Sequence, residues 1–119
     1  MDHLRLMKEV PLLHSIPEET QAVCLADGGF LFREYGRGPM IHLEGEPCIK
    51  LEIILSGSAV VERINASGSL MNIGEFFRGD ILGGNLLFSK SPYFPMTITA
   101  RRPSMILEIE KDCLLMLCR

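Results

Sequence analysis

The sequence predicts a mainly β fold: a double-stranded β-helix (jelly-roll) barrel with short N-terminal helices, a short helix between two strands and the start of a C-terminal helix. Three observations predict it. From Phe30 onward, short runs alternate with the period of two that strands require. Glycine or proline recurs between the runs, at Gly36, Gly38, Gly45, Pro47, Gly57, Gly68, Gly74, Gly79 and Pro103. The first 27 residues follow a helical pattern instead. With 119 residues, 47% of them apolar and 23% charged, the chain has the composition of one globular domain and is too short for two well-packed ones. That single domain is expected to span 1–119, with a helical N-terminus over 1–28, a β-barrel over 29–110 and the beginning of a C-terminal helix over 111–119.

In chain order, His3-Leu-Arg-Leu-Met-Lys-Glu-Val10 reads as one or two amphipathic turns, followed by Pro11 and the apolar Leu12-Leu-His-Ser-Ile16. Ser15-Ile-Pro-Glu18 matches a capping box, and the helix it would start ends at Gly28-Gly29, where glycine accepts a left-handed stop. Leu51, Ile53 and Leu55 alternate with Glu52, Ile54 and Ser56 up to Gly57. Ala59 and Val61 alternate with Val60 and Glu62; Met96, Ile98 and Ala100 with Thr97, Thr99 and Arg101; Met105, Leu107 and Ile109 with Ile106, Glu108 and Glu110. One stretch breaks the rhythm. Gly79-Asp-Ile-Leu-Gly83-Gly84-Asn-Leu-Leu-Phe-Ser89 reads as a loop entering a short helix, where paired glycines let the backbone approach a ligand and helical amides would face it.

Composition narrows the function classes. A net charge of −3 is a poor basis for gripping phosphate backbones, which takes a concentrated basic surface. There is no run of about 18 apolar residues to span a bilayer, and Met1 to Leu13 breaks its apolar residues with charges rather than forming a signal-peptide core. The four cysteines, Cys24, Cys48, Cys113 and Cys118, form no CxxC and read as reduced thiols of a cytoplasmic protein.

The order of motifs resembles the cyclic-nucleotide-binding sensor domain of Crp/Fnr-type transcriptional regulators. The residues that carry the resemblance are Val10-Pro-Leu-Leu13 with Ile16-Pro-Glu-Glu19, Tyr35-Gly-Arg-Gly38 leading to Ile41 and Glu44-Gly-Glu-Pro47, and Leu51-Glu-Ile-Ile-Leu-Ser-Gly57. Phe77-Arg-Gly-Asp80, Leu82-Gly83 and Thr97-Ile-Thr-Ala100 follow. The resemblance makes Gly79 to Ser89, with the start of the following strand, a phosphate-binding cassette. It also implies that the family continues beyond this point into a long dimerising helix and a helix-turn-helix DNA reader. An excised sensor domain is therefore favoured over a naturally short protein, with DNA reached only through a C-terminal domain this chain lacks. The full-length regulator is expected to be a homodimer.

Two departures decide the ligand expectation. Where nucleotide binders of the family carry Gly-Glu, the Glu holding the ribose, this chain has Gly83-Gly84. Where they carry the arginine that pairs with the cyclic phosphate, the position falls at or near Phe94, within Pro92-Tyr-Phe-Pro-Met96, and no Arg or Lys lies between Ser91 and Ala100. Hydrogen bonds to charged groups contribute roughly 1.5–3 kcal/mol each, so losing both forfeits on the order of 3–6 kcal/mol, or about 10²- to 10⁴-fold in affinity. The expected effector pocket is Leu82, Gly83, Gly84, Asn85, Phe94, Pro95, Met96 and Thr97. It suits a small, partly apolar anion held by the amides of Gly83 to Asn85 and the apolar surface of Phe94 and Met96, rather than cyclic AMP or cyclic GMP.

Two other classes fit the sequence less well. A ligand-free dimerisation or interaction module of the same fold would have its cassette packed shut by Phe94 and Met96. A cupin-like metalloenzyme needs HxH, a Glu and a later His. His42-Leu-Glu44 supplies one His and one Glu, whereas His3 and His14 lie in the helical N-terminus. No catalytic residue, metal site or cofactor is expected, His42 reads as structural or solvent-facing, and Glu44 and Glu46 read as solvated turn acids. Cys113 and Cys118, five apart, read as core packing.

Overall fold

A computed structural model describes residues 3–8, 10–84 and 86–117. Helix α1 (His3–Lys8) and a 3₁₀ turn (Pro11–Ser15) lead into helix α2 (Glu18–Asp27). The expected capping box does not form. Ser15 closes the 3₁₀ turn, Pro17 occupies the N-cap without a side-chain hydrogen bond, and Glu18 is the first helical residue rather than the third. Gln21 braces the corner in its place, its amide donating to the carbonyls of Leu13 at 3.1 Å and Ile16 at 2.9 Å. Gly28 ends α2 in the left-handed conformation, with φ of 84°.

The strands are β1 (Phe30–Tyr35), β2 (Met40–His42), β3 (Lys50–Ser56), β4 (Ala59–Ile64), β5 (Leu70–Phe76), β6 (Ile81–Leu82), β7 (Thr97–Ala100) and β8 (Ser104–Glu110). They form two four-stranded antiparallel sheets, in the orders β1-β8-β3-β6 and β2-β7-β4-β5. Helix α3 (Lys111–Leu117) follows β8 directly. The architecture is the expected jelly roll, with one correction: the sheets do not close into a barrel. The edge strands β2 and β6 have three and two residues, too few to carry a ladder from one sheet to the other. The sheets are joined through one apolar core, to which β3 contributes Ile53 and Leu55, β8 Leu107, β4 Ala59 and β7 Ile98 and Ala100.

Two local expectations also change. The stretch after β6 makes successive turns rather than a short helix: the amides of Leu86 and Leu87 donate to the Gly83 carbonyl at 3.0 and 3.1 Å, and no described residue from 83 to 89 is helical. A left-handed Gly83 (φ +81°) followed by Gly84 fixes too little backbone to nucleate a helix in so few residues. In β3, every side chain from Leu51 to Leu55 is buried, Glu52 included, although the alternation turned Glu52 and Ile54 outward. This strand lies between β8 and β6, and α1 and α3 also pack on it, so neither face is left to water.

Ile53, fully buried and in register with Leu107, tests this core. Ile53→Ala is expected to lower the unfolding free energy by roughly 2–5 kcal/mol, read as a lower urea midpoint at unchanged slope. A shift of a few tenths of a kcal/mol would show that β3 is not the centre of the core.

Candidate functional site

The turn after β6 and the segment before β7 enclose a cavity of about 300 Å³. Gly83 and Gly84 form one wall and Phe94, Pro95 and Met96 the opposite one; Val61, Phe76, Ile81 and Ile98 complete an apolar lining. Five of the eight residues expected at the effector pocket thus surround one space. Leu82 sits beneath it, fully buried in the core, and Thr97 accepts a 3.2 Å hydrogen bond at its hydroxyl from the Glu44 amide. Asn85 lies outside the described residues. Gly83 cannot be exchanged freely, since a Cβ there would stand 2.7 Å from the Cys48 sulfur.

Phe94 is pinned from two directions. Its amide donates to the Glu46 carbonyl at 2.9 Å, and its carbonyl accepts from the Gly45 amide at 2.8 Å. Cys48 N–H to the Pro92 carbonyl (2.7 Å) and a bridge between Pro47 and Tyr93 extend the attachment. The ring is 3% exposed and lies flat on the His42 imidazole, with centroids 4.0 Å apart and planes 14° from parallel.

Behind Phe94 lies a polar cluster that the sequence reading missed. His42 is neither free nor solvent-facing: Nδ1 meets the Glu46 carboxylate and Nε2 meets the Glu52 carboxylate. Carboxylates only accept, so a ring paired on both nitrogens is an imidazolium. Burial lowers the His42 pKa, but the hydrogen bonds and charges of Glu52 and Glu46 together outweigh it and hold the value above 6.5. Glu46 is therefore an ion-pair partner as well as a turn acid. Glu108, buried beside Glu52, accepts from Arg33 Nε at 2.8 Å and Lys50 Nζ at 2.9 Å. Burial would raise the Glu108 pKa, yet these two cations bring it below the ordinary carboxylate value. Tyr35 is pushed up to about 12 by burial and the Glu52 charge. These groups line a second cavity of about 260 Å³, and Phe94 is the partition between it and the apolar one.

A larger cavity, about 460 Å³, opens between α1, the 3₁₀ turn and α2. Its polar groups already hold the helices together: Gln21 binds two carbonyls and His14 a third. Among the described residues, no three His, Cys, Asp or Glu side chains are arranged to hold a metal ion. No helix of the described residues is long and apolar enough to cross a membrane. Cys113 touches Cys24, and Cys118 lies outside the described residues.

Strands β6 and β7 of this jelly roll thus flank a glycine-walled cavity. The chain belongs to the cyclic nucleotide-binding domain family, whose model matches residues 32–119. Its fold is that of Crp/Fnr-type sensor domains. A transcriptional regulator from Thermotoga maritima shares 25% identity at a TM-score of 0.71, over 82% of this chain and 74% of that one. The sensor domain of the transcriptional regulator DNR from Pseudomonas aeruginosa shares 17% at 0.79, over 98% and 76%. The regulatory subunit of a cAMP-independent protein kinase A from Trypanosoma brucei shares 22% at 0.75, over 98% of this chain but 43% of that one. A variant of that subunit with three substitutions, one of them threonine to arginine, is bound to cAMP. No curated protein sequence matches this chain.

Because folding raises the His42 pKa, its ion pairs contribute fully below about pH 6.5 and are lost as pH rises through the raised folded value. Urea unfolding of the wild type should therefore show stability falling above pH 6.5, and His42→Gln should remove that slope. An identical slope in both proteins would mean that His42 is not the ionised bridge.

Proposed function

We propose that this chain is the effector-sensing domain of a Crp/Fnr-like transcription factor, and that its effector is a small, partly apolar anion rather than a cyclic nucleotide. The observation that carries the reading is Phe94, buried and pinned at or next to the position the family resemblance gives to the phosphate arginine. The trypanosome subunit supports it by analogy, since the cAMP-independent protein and its cAMP-bound variant differ by substitutions that include a gained arginine. In this chain the Gly83 and Gly84 amides would take the anionic end, as weaker dipoles than a guanidinium, and Phe94 and Met96 the apolar part.

The ligand-free interaction module is the second reading. A cassette packed shut would favour it, whereas a cavity of about 300 Å³ remains between the two walls. The cavity also has a way to report outward. Phe88, in the turn that follows Gly83, lies under the Lys111 ammonium at 5.2 Å, and Lys111 opens α3. An effector that binds two arrangements of this turn unequally would bias α3, and through it a DNA-binding domain of a dimeric regulator in the cytoplasm.

Calorimetry with cyclic AMP and cyclic GMP should show no micromolar binding to the wild type. Benzoate and hexanoate, tested as model anions by thermal shift, should raise the melting temperature. Gly84→Glu and Phe94→Arg should each change the affinity for any stabilising anion at least tenfold. Micromolar nucleotide binding would overturn the ligand class, and unchanged affinities in both variants would overturn the pocket.

A further inference from the structure

The Cys24 sulfur in α2 and the Cys113 sulfur in the first turn of α3 lie 3.1 Å apart, although 89 positions separate them in the chain. Both are buried, at 0% and 6% exposure. The backbone of the turn between α2 and β1 closes over the contact: a Cβ at Gly29 would stand 2.7 Å from the Cys113 sulfur. Cys48, also buried, has no thiol partner among the described residues; its sulfur faces the carbonyls of Lys50 and Gly83. The cysteines that the sequence spreads along the chain thus include one pre-aligned dithiol joining the N-terminal helices to the C-terminal one.

We propose that Cys24 and Cys113 are a redox modification site, oxidised by hydroperoxides to an intramolecular disulfide that ties α3 to α2. Bond formation needs a closing movement of about 1 Å, since the bonded sulfurs stand about 2.05 Å apart. The Cys113 thiolate attacks the peroxide O–O bond, becoming a sulfenic acid and releasing water or an alcohol. The Cys24 thiolate then attacks that sulfur, the S–S bond forms, and the sulfenic oxygen leaves as water. Overall, two thiols and one hydroperoxide give one disulfide, one alcohol (water from hydrogen peroxide) and one water, with two electrons passing from sulfur to oxygen. A dithiol reductant reverses the oxidation by thiol–disulfide exchange. Burial, with the Cys24 thiol and the Asp27 and Glu110 carboxylates, pushes the Cys113 thiol up. The reaction is accordingly slow at neutral pH and gains about tenfold per pH unit while the thiol is still protonated. Neither Cys24 nor Cys113 lines the apolar cavity between β6 and β7.

The test treats the purified chain, carrying Cys118→Ser because Cys118 shares a tryptic peptide with Cys113, with hydrogen peroxide. Remaining thiols are alkylated in denaturant, and the peptides are mapped without reduction. The expected result is a linked peptide joining Cys24 to Cys113 and an alkylated Cys48. The melting temperature should rise by roughly 5–15 °C, reversed by dithiothreitol. Cys113→Ala should abolish the link and the rise, and Cys24→Ala should do the same; if one variant does not fold, the other gives the same reading. Alkylation of both Cys24 and Cys113 after prolonged oxidation, their conversion to sulfinic acids, or disulfide-linked dimers in place of the internal bond would overturn the proposal.

Discussion

Glu52 and Glu108 stand directly opposite each other on β3 and β8, 2% and 5% exposed. Like charges in register destabilise a sheet, and taking a carboxylate out of water costs several kcal/mol unless it is paired. The fold meets this constraint by placing a cation against each. Lys50 and Arg33, from β3 and β1, neutralise Glu108 within its own sheet. Among the described residues Glu52 has no such neighbour in its own sheet; its Oε1 depends on His42, and its Oε2 has no hydrogen-bond partner. His42 belongs to β2, in the other sheet. The ion pair therefore ties the two sheets together at an edge where no ladder joins them. Removing His42 leaves a buried charge uncompensated, which is why its cost differs from that of replacing the whole cluster with apolar residues.

The same histidine accounts for the aromatic side chain beside it. The Phe94 ring covers the imidazolium on one side and walls the apolar cavity on the other. An arginine at 94 would bring a second cation to within about 4 Å of the first, a repulsion of about 4 kcal/mol at an effective dielectric constant near 20. It would also be drawn to Glu46 and Glu52 instead of to a phosphate in the cavity. A buried His42–Glu52 bridge and an arginine at 94 would compete for one place in the molecule. Phe94, which supplies a π face to the cation and an apolar face to the cavity, suits both neighbours.

Much of this was legible in the sequence, and what was not has definite causes. Alternation located β3, β4, β7 and β8, and Gly28 located the end of α2, because each is a local pattern with a local cause. The walls of the cavity followed from motif order, since Gly83-Gly84 and Phe94 to Met96 flank strands whose pairing the fold dictates. The ionised cluster escaped because His42 and Glu52 meet across two sheets, and because a period of two assigns Glu52 to the solvent unless the strand is known to be central. One signal was present: β3 and β8 each carry a glutamate inside an otherwise apolar run, Leu51-Glu-Ile-Ile-Leu55 and Met105-Ile-Leu-Glu-Ile109. Charges in such runs call for partners. Cys24 and Cys113 offered no comparable signal, since their contact depends on where α3 lands after every strand has been placed.

That landing point is where the two halves of the molecule meet. The Glu110 amide, at the end of β8, donates to the Gly29 carbonyl at 2.9 Å and so fixes the level at which α3 begins. From there α3 is held on one side by Cys113 against Cys24 and on the other by Lys111 over Phe88. The two attachments differ greatly in strength. Phe88 is exposed, and an exposed cation–π contact contributes about 0.5–1 kcal/mol, so making or breaking it shifts the position of α3 only about two- to fivefold. A reversible ligand in the cavity would reach that range through a modest difference in affinity between two arrangements of the turn. A covalent bond at the opposite attachment cannot be overcome by so small a bias. The oxidation state of the dithiol would therefore decide whether the cassette can move α3 at all, while occupancy of the cavity would grade the response when the thiols are free.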